Sequence, residues 1–311
     1  MSIPHKLIVV LGPTASGKSE LAVKIAHKIS GEIISADSRQ VYRGLNIGSG
    51  KVPRDKTTNY RLQTINYFYK GIPHHLLNVA SPKRTFTVTQ YQKLAKKALI
   101  DIIKRGKIPI ICGGTGLYID ALIYDYNFPN VPPQPKLRKQ LEKKSTEKLF
   151  KQLKKLDPRR AINIDKNNRR RLIRALEIII ITKKPVPNLA ILKDSKITHY
   201  QTLKLGIKKS PEELKKLIKK RLIKRLDGII KEVKNLRHEL SWQRLDDLGL
   251  EYRYASRYLR VLINKKEMIE NLEKEIYRYA KRQMTWFKRD PKIHWINNDG
   301  EALKLTQEFL K

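Results

Sequence analysis

Short, mostly apolar runs alternate along this chain with longer segments in which apolar residues recur every three or four positions. The runs lie at residues 6–11, 33–36, 108–112 and 202–207, and such β-branched stretches are typical of buried parallel strands. Helical spacing is clearest at residues 21–29 and 89–105. Alternating strands and amphipathic helices predict an α/β fold, with a parallel sheet flanked by helices.

Two proline-rich stretches divide the chain. They lie at residues 127–135 and 185–187, and proline-rich segments of this kind are typical of extended linkers. The segment between them has leucines at helical spacing, as at Leu149 and Leu153. We therefore expect a mostly helical insertion at residues 126–190, set into a core formed by residues 1–125 and completed by residues 191–311. The final part begins a long helix at Ser210-Pro211 and ends in basic, aromatic-rich helices.

The strongest motif follows the first predicted strand directly. Residues 12–19 fit the Walker A pattern G-x-x-x-x-G-K-[ST] at every fixed position, between a strand and a helix as that motif requires. Backbone N–H groups of such a loop converge on phosphate oxygens, helped by the helix N-terminus. The loop consists of Gly12, Pro13, Thr14, Ala15, Ser16, Gly17, Lys18 and Ser19. We expect it to bind a phosphorylated ligand, with Lys18 as the mobile cation and the Ser19 hydroxyl as a ligand for Mg²⁺. The core is therefore expected to be of the P-loop type.

Two further groups of polar residues and glycines follow predicted strands. Because ligands bind at the carboxyl edge of parallel sheets, Asp37 after the second strand is a candidate Mg²⁺ ligand, general base or helix cap. The cluster Gly113-Gly114-Thr115-Gly116 follows the third strand. Glycines there let a ligand approach the backbone, and Thr115 can donate to a phosphate or a base.

The charge balance indicates a polyanionic partner. The chain has 67 Lys and Arg against 29 Asp and Glu, a net charge of +38, which favours nucleic acid. Compositional drift explains part of this excess, but arginine clusters such as residues 169–171 suit phosphate recognition better than a solvated surface does. Aromatic residues of the C-terminal part are either core residues or platforms for stacked RNA bases.

Cysteine content and hydropathy restrict the protein class. Cys112 is the only cysteine, which excludes intramolecular disulfides and multi-cysteine zinc sites and fits a reducing cytosol. The N-terminal apolar run leads straight into Gly-Pro without the pattern of a signal peptide, and no run reaches membrane-spanning length. We expect a cytoplasmic protein that is not in the membrane.

Several stretches together resemble the tRNA dimethylallyltransferases, also called tRNA isopentenyltransferases. They are GPTASGKSELA (12–22), DSRQVYRGLNIGSGK (37–51), PHHLL (73–77), GGTGLY (113–118), NNRRRLIRALEI (167–178), GLEYRY (249–254) and AKRQMTWFKRD (280–290). They occur in the family's order and cover nearly the whole chain. The resemblance implies a P-loop core related to kinases, with a helical insertion that holds the anticodon arm. It also implies transfer of a dimethylallyl group from its diphosphate to N6 of the adenosine on the 3′ side of the anticodon.

The resemblance also implies roles for individual residues. Residues 14–19 match the diphosphate cradle, Lys18 and Ser19 acting with Mg²⁺, and Asp37 matches the general base. Thr14, Arg221 and Arg225 also match the family's catalytic region, where one of the two arginines reaches the diphosphate. Positions that match contacts to tRNA are Asp37, Ser38, Arg39, Gln40, Thr115, Arg138, Arg170, Arg171, Arg174, Arg282 and Gln283. The expected partners are dimethylallyl diphosphate and the anticodon stem-loop of tRNA, bound by a monomer with Mg²⁺ as cofactor.

Two other functions fit parts of the same sequence. A P-loop nucleoside or nucleotide kinase shares the loop and the fold, but has no use for the arginine-rich insertion. A non-catalytic, basic RNA-binding protein explains the charge, but gives no reason for an intact Lys18, Ser19 and Asp37.

Overall fold

The predicted strands form one sheet with three further strands at its edges. A computed structural model describes residues 5–56, 67–187 and 200–311 of the chain. Predictions that concern residues 1–4 and 188–199, at the ends of the expected segments, lie outside the described residues. The strands are β1 (His5–Leu11), β2 (Gly31–Ser35), β3 (Phe68–Tyr69), β4 (Ile72–His75), β5 (Ile108–Gly113), β6 (Tyr200–Ile207) and β7 (Ile293–Ile296). Their order in the sheet is β3-β4-β2-β5-β1-β6-β7.

Strand β1 lies inside the sheet and is paired on both sides. It runs parallel to β5, with Val9 opposite Ile111, and parallel to β6, with Val9 opposite Lys204. The β3–β4 hairpin is the antiparallel pair among the described strands. A mostly parallel sheet of this kind confirms the predicted α/β fold class. Because β1, β2 and β5 are parallel, the loops that follow them meet at one edge of the sheet.

Helices cover both faces of the sheet. Across the described residues of both parts of the chain, the helices are α1 (Lys18–Ile29), α2 (Val88–Lys104), α3 (Gly116–Ile123), α4 (Pro135–Glu142), α5 (Thr146–Leu156), α6 (Pro158–Ile162), α7 (Arg169–Thr182), α8 (Pro211–Leu236), α9 (Trp242–Leu248), α10 (Leu250–Leu259), α11 (Lys265–Phe287) and α12 (Asp299–Leu310). Side chains of β1 alternate between two cores, as the twofold strand period requires. Val9 packs in a cluster with residues of α2, α3, α8, α10 and α11, whereas Ile8 and Val10 pack with α1 and α12.

The chain divides into two compact units. The first comprises residues 5–125 and 200–311 of the described chain and contains the sheet. The second contains α4 to α7 and has its own core, in which Leu149 and Leu153 of α5 pack against Leu172 and Leu176 of α7. Its helices are amphipathic, which is why the leucine spacing was visible in the sequence. None of the helices in the described ranges is both long and apolar enough to cross a bilayer.

Candidate active site

The P-loop connects β1 to α1 and has a backbone that few side chains allow. Gly12 has φ of 155°, and Gly17, which precedes α1, has φ of 92°. A Cβ at Gly12 would lie 3.2 Å from the Ile207 carbonyl oxygen and 3.0 Å from Ser16 Oγ. Glycine is therefore required at Gly12 by conformation and by close packing on β6. The Ser16 hydroxyl is buried, and within the described residues its oxygen has no hydrogen-bond partner.

The side chain of Lys18 folds back onto the P-loop. Its Nζ donates to the carbonyl oxygen of Pro13 at 3.1 Å. Burial lowers the pKa of the Lys18 ammonium, Cys112 and Asp37 oppose that shift, and Arg221 adds to it. Within the described residues the Lys18 ammonium has one hydrogen-bond acceptor, a carbonyl, and it lies close enough to Arg221 to feel its charge, so it is electrostatically prepared to pair with a phosphate.

Asp37 and Ser38 follow β2 and are fixed by the loop after β5. One carboxylate oxygen of Asp37, Oδ1, accepts the backbone N–H groups of Arg39 at 2.8 Å and Gln40 at 3.2 Å. The Ser38 N–H donates to Thr115 Oγ1 at 3.1 Å. Asp37 thus caps the short turn that follows it, which was one of its three candidate roles. Within the described residues its second oxygen, Oδ2, has no hydrogen bond and is available for chemistry.

The glycines at 113, 114 and 116 accommodate protein groups. A Cβ would lie 2.2 Å from the Ala36 carbonyl oxygen at Gly113, 2.1 Å from Gln283 Nε2 at Gly114, and 2.2 Å from a ring carbon of Trp286 at Gly116. These glycines therefore make room for protein groups, and the approach of a ligand to the same backbone stays a prediction. They allow β2 and helix α11 to approach the loop, and the pattern could not distinguish a ligand from a neighbouring segment.

Gln283 and Arg282 are neighbours on α11 with different surroundings. The side chain of Gln283 is 6% exposed; it accepts the Thr14 N–H at 2.8 Å and donates to the Gly114 carbonyl at 2.8 Å. Arg282 is exposed, with its guanidinium 5.8 Å from the ring centroid of Tyr279. Of this predicted pair of tRNA contacts, Arg282 has the accessibility that a polyanion needs, and Gln283 lies inside the site.

Arg221 and Arg225 extend from α8 toward different loops. Arg221 Nη1 donates to Thr14 Oγ1 at 3.2 Å, so Arg221 lies directly on the P-loop. Arg225 Nη2 donates to the carbonyls of Ile47 and Gly48 and lies 3.7 Å from Glu251. Burial lowers the pKa of the Arg221 guanidinium and raises the pKa of Glu251.

A loop at residues 46–51 completes this side of the site, and the sequence did not reveal how it is held. Glu232 of α8 accepts the backbone N–H groups of Asn46, Ile47 and Gly48, at 2.9, 2.6 and 3.0 Å. The Tyr252 hydroxyl donates to Glu232 at 2.8 Å and accepts the N–H of the next loop residue at 3.0 Å. We name this arrangement the Glu232 clamp. It turns the loop carbonyls of residues 47, 48 and 50 toward the two arginines of α8.

Lys51 ends the same loop and is buried. Its ammonium donates to the Tyr42 carbonyl at 2.9 Å and to Asn46 and Asn78 side-chain oxygens, and burial lowers its pKa to about 8. Lys51 therefore joins three segments of the first unit and is not a free cation. Gln40 contacts the loop more weakly, at 3.4 Å from its Nε2 to the Gly50 carbonyl.

In the second unit, the arginines expected to bind tRNA fall into two classes. Arg138 and Arg174 both pair with the fully buried carboxylate of Glu177, at 2.7 and 2.6 Å. Burial alone would raise the pKa of Glu177, but these contacts and the Gln134 N–H lower it to about 2. Arg170 and Arg171, at the start of α7, have exposed side chains. Those two can meet a phosphate without losing an internal partner.

Comparison with known proteins identifies relatives over nearly the full length. A profile of the IPP transferase family matches residues 40–290, and one described as isopentenyl transferase matches residues 5–69. The tRNA dimethylallyltransferase of Anoxybacillus flavithermus is 40% identical, over 96% of this chain and 92% of that protein. The tRNA dimethylallyltransferase 1 of Geotalea uraniireducens is 38% identical, over 98% of this chain and 97% of that protein.

Solved structures give the same result. The full-length tRNA isopentenylpyrophosphate transferase of Bacillus halodurans is 31% identical, with a TM-score of 0.67 over 98% of this chain and 96% of that one. A eukaryotic dimethylallyltransferase acting on tRNA is 29% identical, with a TM-score of 0.70 over 91% of this chain and 69% of that one. Neither comparison favours the kinase or the non-catalytic alternative. The motifs, the P-loop site and these similarities agree: this chain belongs to the IPP transferase family.

Proposed function

We propose that this protein transfers the dimethylallyl group of dimethylallyl diphosphate to N6 of the adenosine on the 3′ side of the tRNA anticodon. The observation that carries the proposal is the meeting of two kinds of group at one edge of the sheet. A phosphate-binding loop with Lys18 and Arg221 lies beside the Asp37 carboxylate, whose charge acts on both of these cations. The relatives named above act on tRNA and are dimethylallyltransferases, which supplies the two substrates.

Asp37 is the proposed general base. The N6 amine of adenine is a weak nucleophile because its lone pair is delocalised into the ring. As nitrogen attacks the allylic carbon, its proton passes to Asp37, and the carbon–oxygen bond to diphosphate breaks with the electron pair on oxygen. Two backbone N–H groups hold Oδ1, so that Oδ2 remains to accept the proton.

The P-loop stabilises the leaving group. Negative charge grows on the diphosphate oxygen as the bond breaks, and preorganised donors aimed at that charge lower the barrier. The loop amides, the Lys18 ammonium and the Arg221 guanidinium are the donors that this chain supplies. Arg221 rather than Arg225 is our choice for the diphosphate contact, because Arg221 donates to Thr14 in the loop and Arg225 donates to carbonyls of residues 47 and 48.

The residues present fit a magnesium ion held mainly by substrate. Within the described residues, no three His, Cys, Asp or Glu side chains are grouped to hold a metal by themselves. Mg²⁺ commonly keeps several waters and binds through substrate phosphates and one or two protein oxygens. The Ser19 hydroxyl, at the start of α1, would be such an oxygen. When bound, the ion would neutralise charge on the diphosphate.

The tRNA is proposed to be held by exposed basic groups. Arg170 and Arg171 of the second unit and Arg282 of α11 have exposed guanidinium groups, and Arg39 is half-buried beside Asp37. Contacts of this kind with phosphates are salt-sensitive and independent of sequence. We further propose that the protein works as a cytoplasmic monomer.

Mass analysis of nucleosides tests the function directly. The protein is incubated with unmodified tRNA, dimethylallyl diphosphate and Mg²⁺, and the expected product is N6-dimethylallyladenosine at the position 3′ to the anticodon. A parallel incubation with ATP and free nucleosides tests the kinase alternative. Phosphorylated nucleosides without any prenylated tRNA would contradict the proposal.

Substitution of Asp37 tests the mechanism. Asp37→Asn keeps an oxygen that caps the turn but removes the base, so we expect turnover to fall about 10²–10⁴-fold with tRNA affinity retained. Asp37→Ala should lose at least as much turnover. Turnover close to that of the unchanged protein in Asp37→Asn would show that another group takes the proton.

A further inference from the structure

One face of α11 packs on the loop that follows β5. The residues of this face are Tyr279, Gln283 and Trp286, spaced four and three positions apart as neighbours on a helix face are. Thr115 lies close enough to the Tyr279 hydroxyl to act on its pKa, Gln283 donates to Gly114, and the Trp286 ring lies against Gly116. The helix therefore contacts this loop residue by residue.

Gln283 is the member of this face that also reaches the P-loop. Its carbonyl oxygen accepts the Thr14 N–H and its amide nitrogen donates to the Gly114 carbonyl, both at 2.8 Å. The side chain is 6% exposed, so both bonds form away from water. Since buried backbone groups without partners are costly, the amide satisfies two backbone groups that belong to different loops.

The two loops joined by Gln283 carry the two halves of the proposed reaction. On one side, Thr14 lies in the diphosphate cradle and receives a hydrogen bond from Arg221. On the other side, Thr115 follows Gly114 and accepts the Ser38 N–H, beside Asp37. One buried amide thus links the loop for the leaving group to the loop that holds the segment carrying the proposed base.

Helix α11 is itself anchored at the end nearest to the sheet. The Trp286 indole N–H donates to Asp120 of α3 at 2.8 Å, and Asp290 pairs with the buried Lys204 of β6 at 2.5 Å. These contacts fix the position of the helix relative to β6 and α3. The Gln283 amide therefore extends from a rigid support, as a positioning group requires.

We propose that Gln283 is a positioning residue that sets the P-loop backbone for diphosphate by bridging Thr14 and Gly114, and that it is not a tRNA contact. This inference rests on the proposed function for the identity of the ligand. Glutamine suits the role because it offers one acceptor and one donor on a planar group. A glutamate can accept from Thr14 but cannot donate to Gly114 when ionised, and it places a negative charge beside the phosphate site.

The first experiment compares affinities for the two substrates separately. Gln283→Met removes both hydrogen bonds at similar volume, and Gln307→Met on α12, where Gln307 is exposed, is the matched control. Inorganic diphosphate with Mg²⁺ is titrated by calorimetry, and an anticodon stem-loop RNA by fluorescence anisotropy. We expect Gln283→Met to bind diphosphate about tenfold more weakly, as the loss of buried hydrogen bonds implies, and to bind RNA within twofold of the unchanged protein. Gln283→Glu should weaken diphosphate binding further.

Steady-state kinetics distinguish positioning from a loss of folding. In Gln283→Met the KM for dimethylallyl diphosphate should rise while the KM for tRNA stays constant, with a melting temperature close to that of Gln307→Met. Unchanged diphosphate affinity in Gln283→Met would overturn the inference. If that variant also bound RNA more weakly, Gln283 would instead be a tRNA contact. If the unchanged protein binds diphosphate but prenylates no tRNA, the proposed function fails and the positioning role still stands.

A double substitution tests the bridge from its other end. In Gly114→Ala the new methyl carbon would lie 2.1 Å from Gln283 Nε2, but its next contact outside Gln283 is the Gly12 carbonyl oxygen at 3.5 Å. As a single substitution, Gly114→Ala should therefore weaken diphosphate binding. Added to Gln283→Ala, it should cause almost no further loss of diphosphate affinity. Additive losses in the double variant would show that Gly114 and Gln283 act independently and would contradict the bridge.

Discussion

The Glu232 clamp makes a quantitative prediction for Glu232→Gln. The carboxylate accepts four hydrogen bonds, two by Oε1 from the Gly48 N–H and Tyr252 and two by Oε2 from the N–H groups of Asn46 and Ile47. An amide can keep the first two by its oxygen. It then presents its NH₂ group to two N–H donors, so both bonds on that side are lost.

The size of the effect follows from the number and kind of hydrogen bonds that are removed. A hydrogen bond to a charged group contributes about 1.5–3 kcal/mol, and two are removed here. The clamp is half-buried, so water can partly replace them. We therefore expect Glu232→Gln to lower the free energy of unfolding by about 2–4 kcal/mol. Because the clamp orients the carbonyls that hold Arg221 and Arg225, the KM for dimethylallyl diphosphate should rise as well.

The assay is urea unfolding followed by tryptophan fluorescence, together with hydrogen exchange of the peptide that contains residues 46–51. Glu239→Gln is the matched control, since Glu239 is exposed and, in the part of the chain that the structure describes, its carboxylate has one ion-pair partner, Lys83 at 3.3 Å. An exposed pair of this kind contributes at most about 1 kcal/mol. Equal stability of Glu232→Gln and Glu239→Gln, with equal exchange at residues 46–51, would show that Glu232 does not hold the loop.

Three further predictions concern charge. In the double variant Arg170→Gln/Arg171→Gln, tRNA affinity should depend less steeply on salt. The slope of log affinity against log salt, measured by anisotropy, should become shallower by about one for each phosphate that is no longer neutralised. The melting temperature should not fall. Lys18→Met should raise the KM for dimethylallyl diphosphate and leave tRNA affinity unchanged, and an unchanged KM would remove Lys18 from the cradle. Burial lowers the pKa of His74 to about 4. Between this value and the ordinary value near 6.5 the unfolded chain binds the additional proton, so stability should fall by up to about 3 kcal/mol as pH falls through that window. Urea unfolding of His74→Phe should lack this dependence.

The sheet was predictable where the pattern is local and the segment is buried on both faces. Strand β1 is an example, since its residues pack alternately into two cores and are all apolar from Leu7 to Leu11. Strand β7 was not predicted, because four residues with one exposed histidine carry too little signal. It becomes a strand because helix α11 returns the chain to the free edge of β6. Edge strands depend on tertiary placement more than on composition.

The site was predictable to the extent that its groups are adjacent in the sequence. The P-loop is one continuous motif, so its conformation was predictable from eight residues, which also predict a phosphorylated ligand. Gln283 and Glu232 lie 269 and 184 to 186 positions from the groups that they hold. No periodicity marks a helix residue that turns toward a distant loop. Their roles could be recognised only from the packing of α8 and α11 against the sheet edge.

The arginines of the second unit show a signal that the sequence did contain. Glu177 lies three positions after Arg174, a spacing that places both on one helix face. A single acid on an apolar face next to a basic helix has to be neutralised, since an unpaired buried charge is costly. The i,i+3 spacing therefore predicts an internal pair between Arg174 and Glu177 and leaves the adjacent Arg170 and Arg171 free for a polyanion, whereas the second pair, with Arg138, depends on tertiary packing.

The arrangement of the first unit explains how a P-loop can take part in a reaction that breaks a carbon–oxygen bond and not a phosphorus–oxygen bond. The cradle stabilises phosphate oxygens whichever bond to them breaks, because its donors act on charge and not on phosphorus. What determines the reaction is the position of the base relative to the cradle. Asp37 is held by its own turn and through Ser38 by Thr115, while Thr14 is tied to the same loop by Gln283. In the proposed mechanism, a nucleophile deprotonated by Asp37 therefore meets an electrophile whose diphosphate is held by the P-loop, and the geometry between them depends on α11.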